Sequence, residues 1–145
     1  MARKRFSEMH CPVARALDEV GDWWSLLIIR DAMIGTRRFV DFARHLGIAR
    51  NILQDRLNKL VDNDILQKID VGEHGVRHEY ELTDKGRDLF VVITALKQWG
   101  DKWAYKNQRG FEILDKSTQQ AIKPLSVQSK DGKCLGIGDI ELRFI

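Results

Sequence analysis

The sequence predicts one mainly helical domain with a small β-hairpin, followed by a short extension. Apolar residues recur at helical spacing in most of the first 62 residues, alternate with polar residues between residues 66 and 82, and then return to helical spacing. The chain has 145 residues, of which 43% are apolar and 31% charged, so it can bury a core of its own. We expect the domain to cover residues 1–106 and the extension residues 107–145.

Four helices are predicted in the first half of the chain. Asp22 can cap the second of them, which is apolar on nearly every side and therefore belongs in the centre of the core. In the fourth helix, leucines at i, i+4 and i+7 form a stripe that faces inward. The predicted spans are 12–20, about 23–33, 39–46 and about 49–62.

A β-hairpin and a long helix follow. Residues 66–71 and 76–82 alternate as half-buried strands do, and a glycine stands at each end of the loop 72–75 between them. Thr83 can cap the long helix, which is expected to run for about six turns, to residue 105 or 106. The extension is expected to hold a second, smaller hairpin, with strands at 125–128 and 140–144 and a turn at 131–132.

Basic residues are concentrated in the centre of the chain. The net charge is only +3, but residues 35–59 carry six basic side chains against two acidic ones, and residues 1–5 carry three more basic ones. This distribution predicts a localised face that binds a polyanion, with an ordinary solvated surface as the alternative.

The sequence also excludes several classes of protein. No apolar run approaches the roughly 18–20 residues that cross a bilayer, and the basic N-terminus lacks the apolar stretch of a secretory signal. We therefore expect a cytoplasmic protein that binds no membrane. The two cysteines and four histidines have none of the spacings of zinc ligands, so we expect no metal and no cofactor.

From residue 24 to residue 106, the predicted order of elements is that of a winged helix-turn-helix. In this fold, helix 39–46 braces helix 49–62, and the polar arc of the latter can enter the roughly 12 Å wide major groove of DNA. The hairpin forms a wing that reaches the neighbouring backbone or minor groove. We therefore expect double-stranded DNA as the partner.

Several short motifs support this interpretation along residues 9–105. They include CPVAR at 11–15, VGDWWSLLIIRD at 20–31, LGI at 46–48, YELTDKG at 80–86 and WG at 99–100. In these motifs the chain resembles the HxlR-type winged helix-turn-helix regulators. The resemblance implies a homodimeric bacterial or archaeal transcription factor, most commonly a repressor, that binds an inverted-repeat operator. It also implies a dimer interface formed by the N-terminal helix and the long C-terminal helix.

Two positions depart from the family pattern. Ala49 stands where the family often has a serine that caps the recognition helix, and Trp23 replaces a residue that is commonly basic.

Dimer symmetry predicts half-sites about 10–10.5 bp apart, or a multiple of that distance. We interpret residues 107–145 as a cap on the dimer interface.

The candidate DNA contacts lie on the fourth helix, before the third helix and in the wing. Arginine suits guanine, and asparagine or glutamine suits adenine, so the candidate base contacts are Arg50, Asn51 and Gln54. Asp55 either accepts from a cytosine or forms a salt bridge. The candidate phosphate contacts, which position the protein without reading sequence, are Arg37, Arg38, Lys59 and, in the wing, Arg77. An ordinary solvated helix face is the alternative.

Cys11, beside His10, is a candidate redox-sensing thiol, because a nearby imidazolium or helix N-terminus activates a thiol. The alternative is a buried thiol that packs as a small hydrophobe, and Cys134 is the candidate partner in a second subunit. Four tryptophans either line a pocket for an unknown small-molecule effector or pack in the core or dimer interface; they are Trp23, Trp24, Trp99 and Trp103.

Two other function classes are alternatives to DNA binding. A winged-helix domain can bind protein instead, in which case it shows no salt-dependent binding to DNA. A cysteine-dependent enzyme needs an orienting third group and a substrate cleft beside Cys11 and His10. The sequence supplies neither at a usable spacing, so we expect no enzyme.

Overall fold

Local sequence signals define the first four helices in the computed structural model, which describes residues 6–75, 77–106, 110–143 and 145. The predicted helices are confirmed as α1 (Pro12–Val20), α2 (Trp23–Met33), α3 (Phe39–Leu46) and α4 (Arg50–Asp62). Asp22 accepts a hydrogen bond from the Ser25 N–H at 2.9 Å and so caps α2. Gly47, at φ 60°, ends α3 in the left-handed conformation that glycine adopts readily.

A two-stranded antiparallel sheet follows the helices. Strand β1 (Leu66–Asp70) pairs with β2 (His78–Leu82), and both are slightly shorter than predicted. Val76, the predicted first residue of the second strand, lies outside the described residues. The Tyr80 N–H donates to the Arg37 carbonyl at 2.8 Å, which ties the turn before α3 to β2.

The predicted long helix is wrong in two respects. The chain forms two helices, α5 (Asp84–Arg87) and α6 (Phe90–Trp103), and the second ends at Trp103 instead of residue 105 or 106. Between them, the Leu89 N–H bonds to the Gly86 carbonyl at 3.1 Å, three residues back instead of four, which tightens the turn. Gly86 lies directly against the sheet: a Cβ there would stand 2.2 Å from the Ile65 carbonyl oxygen. This close approach holds α5 in place, and the helix restarts as α6.

The core of this part of the chain forms between α2, α3, α4 and the sheet. Ile28 and Ile29 of α2 are fully buried, as expected for a helix that is apolar on nearly every side. Phe42 of α3 meets Tyr80 of β2 edge to face, with the ring centroids 6.5 Å apart. The contribution of α4 is the leucine stripe Leu53, Leu57 and Leu60.

The extension contains the predicted hairpin, with one strand in a different place. Strand β3 (Val127–Gln128) pairs with β4 (Cys134–Leu135) around a turn in which Gly132 has φ 80°. The prediction of the second strand at 140–144 is wrong: residues 140–143 form no strand, and Phe144 lies outside the described residues. A 3-10 turn, Ile137–Asp139, follows β4 and ends the strand before residue 140.

The chain divides into two compact units, residues 1–93 and 94–145, and the division lies inside α6. The predicted domains, 1–106 and 107–145, stay a prediction. Contacts between α6 and the extension explain the position of the division. Lys97 Nζ lies 5.2 Å from the centroid of the Phe111 ring, and Gln98 Oε1 accepts from the Leu125 N–H at 2.7 Å. The functional role assigned to each part stays a prediction, and the basic residues 1–5 lie outside the described residues. Within the described part of the chain, no helix has the length and apolar character needed to cross a membrane.

Candidate nucleic-acid interface

Helix α4 divides its side chains between a buried stripe and a solvent-facing arc. Its three stripe leucines are completely buried. Because residues at i, i+4 and i+7 share one face of a helix, the polar residues between them face away from the core. Four of these five residues are exposed, and Gln54 is half-buried beside them. We term the following five residues the α4 arc: Arg50, Asn51, Gln54, Asp55 and Asn58.

Contacts of the α4 arc hold some of its side chains in place. The Arg50 guanidinium carbon lies 5.8 Å from the centroid of the Phe39 ring, at the start of α3. Gln54 Nε2 donates to Asn58 Oδ1 at 2.9 Å. Ala49 caps α4 without a side-chain hydrogen bond, which is the structural consequence of its departure from the family pattern.

A cluster of charges around Asp22 joins α4 to the start of α2. Asp22 accepts from Ser25 Oγ at 2.6 Å and from Arg56 Nε at 3.0 Å, and Lys59 Nζ lies 3.7 Å away. Burial alone would raise the pKa of Asp22, but the hydrogen bonds from Ser25 and the charges of Arg56 and Lys59 outweigh it and hold the pKa below its usual value. Lys59 therefore lies beside a carboxylate, and Asp55 is paired with Arg56.

The other predicted phosphate contacts, Arg37 and Arg38, stand on the turn before α3 and reach β2. Arg37 forms ion pairs with Glu79, at 3.6 Å, and with Glu81. Arg38 Nε lies 3.8 Å from a Glu79 carboxylate oxygen. These glutamates were absent from the sequence prediction, although the alternation along β2 places both on one face.

The wing loop between β1 and β2 is exposed to solvent. Its Gly75 has φ 110°, a conformation that glycine adopts without strain. Arg77, the predicted wing contact, is exposed and accepts a hydrogen bond at its carbonyl from the Val71 N–H. Among the residues that the structure describes, none forms an ion pair with Arg77, so its guanidinium is available to a phosphate.

Two of the tryptophans, Trp23 and Trp24, line one pocket together with Asn51 and Asp55 of the α4 arc. Cys11 is a half-buried free thiol directly before α1, and Cys134 is an exposed free thiol in β4. The described residues hold no group of three or more potential metal ligands. Trp24 packs against the core, whereas the other tryptophans are exposed: Trp23 by 75%, Trp99 by 62% and Trp103 by 63%.

Comparison with known proteins yields one matching family. The family described as HxlR-like helix-turn-helix matches residues 19–108. An uncharacterized HTH-type transcriptional regulator of Mycobacterium tuberculosis is 48% identical over 91 residues, which are 63% of this chain and 58% of that protein. The chain therefore spans less than two thirds of the length of this relative.

Two solved structures are also similar. The crystal structure of PA1607, a candidate transcription factor, is 38% identical, with a TM-score of 0.89, and covers 97% of this chain and 99% of that chain. This similarity includes the extension after residue 106. The redox regulator HypR in its reduced form is 28% identical, with a TM-score of 0.59, over 63% of this chain and 92% of that chain. The fold of the chain is a winged helix-turn-helix, as the sequence predicts.

Proposed function

Because the chain belongs to the HxlR-like helix-turn-helix family, whose named members are transcriptional regulators and not enzymes, we propose that it is a sequence-specific DNA-binding regulator. It binds an inverted-repeat operator as a homodimer and represses transcription by blocking access to a promoter. The observation that carries the proposal is the α4 arc, a row of polar side chains, led by the basic Arg50, that three buried leucines turn outward.

The α4 arc supplies the base contacts in this proposal. Arg50 suits guanine, and Asn51 and Gln54 suit adenine, each bidentate pair contributing roughly 1–3 kcal/mol of discrimination against the wrong base. Asn51 is exposed, whereas Gln54 first gives up its hydrogen bond within the arc. Asp55 breaks its ion pair with Arg56 before it accepts a hydrogen bond from a cytosine.

Phosphate contacts position the protein along the duplex without reading its sequence. Arg77 reaches the backbone from the wing. Arg37, Arg38 and Lys59 already have carboxylate partners, so a phosphate takes the place of a carboxylate when DNA binds. Because phosphate contacts release counterions, the affinity falls steeply as the salt concentration rises.

A second copy of the chain is the proposed partner of α6. Four apolar residues that recur at helical spacing along α6 are 44–63% exposed, and we term them the α6 stripe: Val92, Leu96, Trp99 and Trp103. Helix α1 likewise exposes Val13 and Leu17. Exposed apolar clusters of this kind mark protein interfaces. The extension caps this interface, and its attachment through Gln98, which bonds to the backbone of Lys123 and Leu125, supports that role.

Selection of bound sequences from a library of random duplexes tests the proposal. A symmetric dimer enriches an inverted repeat with half-sites about 10–10.5 bp apart, or a multiple of that distance. Transcription in vitro from a promoter that carries the enriched sequence falls when the protein is added. If no sequence is enriched and no salt-dependent binding occurs, the winged-helix domain binds protein instead.

A thiol switch is a second candidate function. It is favoured by the similarity to the redox regulator HypR and by the free thiol of Cys11 directly before α1. A two-electron oxidant converts the thiols of Cys11 and a second cysteine into a disulfide, taking up the two electrons and the two thiol protons. Cys134 of a partner copy is the candidate second cysteine, and the disulfide alters the proposed interface. Diamide treatment, mass spectrometry and a DNA titration test the switch, with Cys11→Ser as the control. A chain that stays fully reduced, with unchanged affinity, contradicts it.

A further inference from the structure

We propose that Glu79 and Glu81 of β2 compete with DNA phosphates for Arg37 and Arg38, and so limit the sequence-independent affinity of the protein for DNA. The inference rests on the proposed DNA-binding function and adds two acidic residues to it. In the free protein, these carboxylates occupy the position that a phosphate would take beside each arginine.

The geometry of β2 brings the four side chains together. Side chains alternate along a strand, and Tyr80 is buried between the two glutamates, so both glutamates face away from the core. Arg37 pairs with both of them, and its distance to Glu79 is 3.6 Å. Arg38 lies 3.8 Å from Glu79, so one carboxylate is shared by two guanidinium groups.

The backbone fixes this arrangement before any DNA binds. The Tyr80 N–H donates to the Arg37 carbonyl, so the peptide of the arginine is joined to the residue between the two glutamates. The glutamate side chains are only 19% and 22% exposed, whereas those of Arg37 and Arg38 are 53% and 48% exposed. The carboxylates are therefore held in place, whereas the more exposed arginine side chains can turn from them to a phosphate.

Phosphate contacts are the interactions that these carboxylates weaken. Contacts of arginine and lysine with phosphates supply essentially all of the affinity for non-specific DNA. An arginine that already has a carboxylate partner gains less from a phosphate, because one charge-assisted pair replaces another. The base contacts of the α4 arc are unaffected. The glutamates therefore lower the affinity for every duplex by a similar factor, and the ratio between operator and other DNA is left to the base contacts.

The test measures binding of the full chain to a short duplex of arbitrary sequence at several salt concentrations. The variants are Glu79→Gln, Glu81→Gln and the combination of both. We expect the affinity of the double variant at low salt to rise roughly tenfold, and the slope of log K against log salt to steepen by about 0.9 for each arginine released. Glu73→Gln is the matched control, because it removes one carboxylate from the exposed wing loop, and its slope should stay that of the wild type.

Binding measurements on arginine variants provide two further tests of the competition. In a protein that carries Arg37→Ala and Arg38→Ala, the glutamate substitutions should leave the salt slope unchanged. If thermal melts show that the glutamate variants do not fold, the DNA affinities of Arg37→Ala and Arg77→Ala are compared instead. The loss of affinity should be larger for Arg77→Ala, because Arg77 has no carboxylate partner among the described residues. A folded double variant that binds like the wild type, or a larger loss at Arg37, overturns the competition and leaves DNA binding intact. A wild-type chain that binds no DNA overturns both.

Discussion

Helices α4 and α6 each bury one side and expose another, but their exposed sides are chemically opposite. The α4 arc is polar, with one basic and one acidic member, whereas the α6 stripe is apolar and includes two tryptophans more than 60% exposed. On α6, Ile93 and Thr94 are buried, whereas the residues of the α6 stripe stay exposed within a single chain. The difference indicates two kinds of partner, because a charged, hydrated duplex suits the arc and a second protein surface suits the stripe.

Replacing Leu57 by alanine breaks the buried side of α4 and has the largest expected effect. Leu57 is fully buried, so its truncation leaves a cavity and lowers the free energy of unfolding by about 2–5 kcal/mol. Leu142→Ala is the matched control, because Leu142 is 78% exposed, and its effect should stay below about 0.5 kcal/mol. Urea denaturation measures both values. Equal effects would contradict the core assignment.

Replacing Trp99 by lysine breaks the α6 stripe. A charge in the centre of the proposed interface should weaken dimerisation by about 30-fold or more, as expected for a tryptophan at an interface hot spot. Trp23→Lys is the control, because Trp23 is even more exposed but belongs to α2. Sedimentation equilibrium measures the dissociation constant. If both variants associate like the wild type, the stripe is not the dimer interface.

Replacing Asn51 by alanine tests whether the α4 arc contacts the bases of the operator. Residues near the start of a recognition helix reach the bases, so we expect a loss of about 1–3 kcal/mol on the selected operator and little change on an unrelated duplex. Asn58→Ala, near the other end of the arc, should affect the operator less. A uniform loss on both duplexes would assign Asn51 to the backbone instead of the bases.

The smallest expected effect concerns the anchor of α4 at Asp22. The pKa of Asp22 is lowered in the folded protein, so its ionised form stabilises the fold above the unfolded value of about 3.8, and this contribution is lost as the pH falls through the folded pKa. The wild type should therefore be more stable than Asp22→Asn at pH 7, by about 1 kcal/mol or less. Thermal melts from pH 7 down to acid measure the difference. A difference that does not shrink below pH 4 would contradict the ion-pair role.

Much of the fold follows from signals that lie close together in the sequence. The bounds of α1 to α4 were predicted to within a residue, because apolar periodicity and local caps such as Asp22 and Gly47 act within a few positions. The break between α5 and α6 was not predicted, since it depends on the approach of Gly86 to Ile65. The second strand of the extension was misplaced because alternation at 140–144 does not show which residues pair, and the strand that forms, at residues 134–135, lies closer to the turn.

The sequence predicts the part of the candidate site that lies within one helix, but not the ion pairs that join distant parts of the chain. The α4 arc follows from the leucine spacing within one helix. The partners of Arg37, Arg38 and Lys59 could not be read from the sequence, because Glu79, Glu81 and Asp22 are distant along the chain and meet these residues only in the folded protein. Periodicity predicts which side chains face outward, and tertiary structure decides which charges are already paired.

The most direct test is a binding titration of the purified full chain on its own upstream region and on unrelated DNA, each at two salt concentrations. We expect the upstream region to bind roughly 10³-fold more tightly or better, and both affinities to fall steeply as salt rises. In parallel, a variant with alanine at Arg50, Asn51 and Gln54 should lose this preference and keep its salt dependence. Binding that is absent at low salt, or a preference that survives the triple substitution, would contradict the role of the α4 arc.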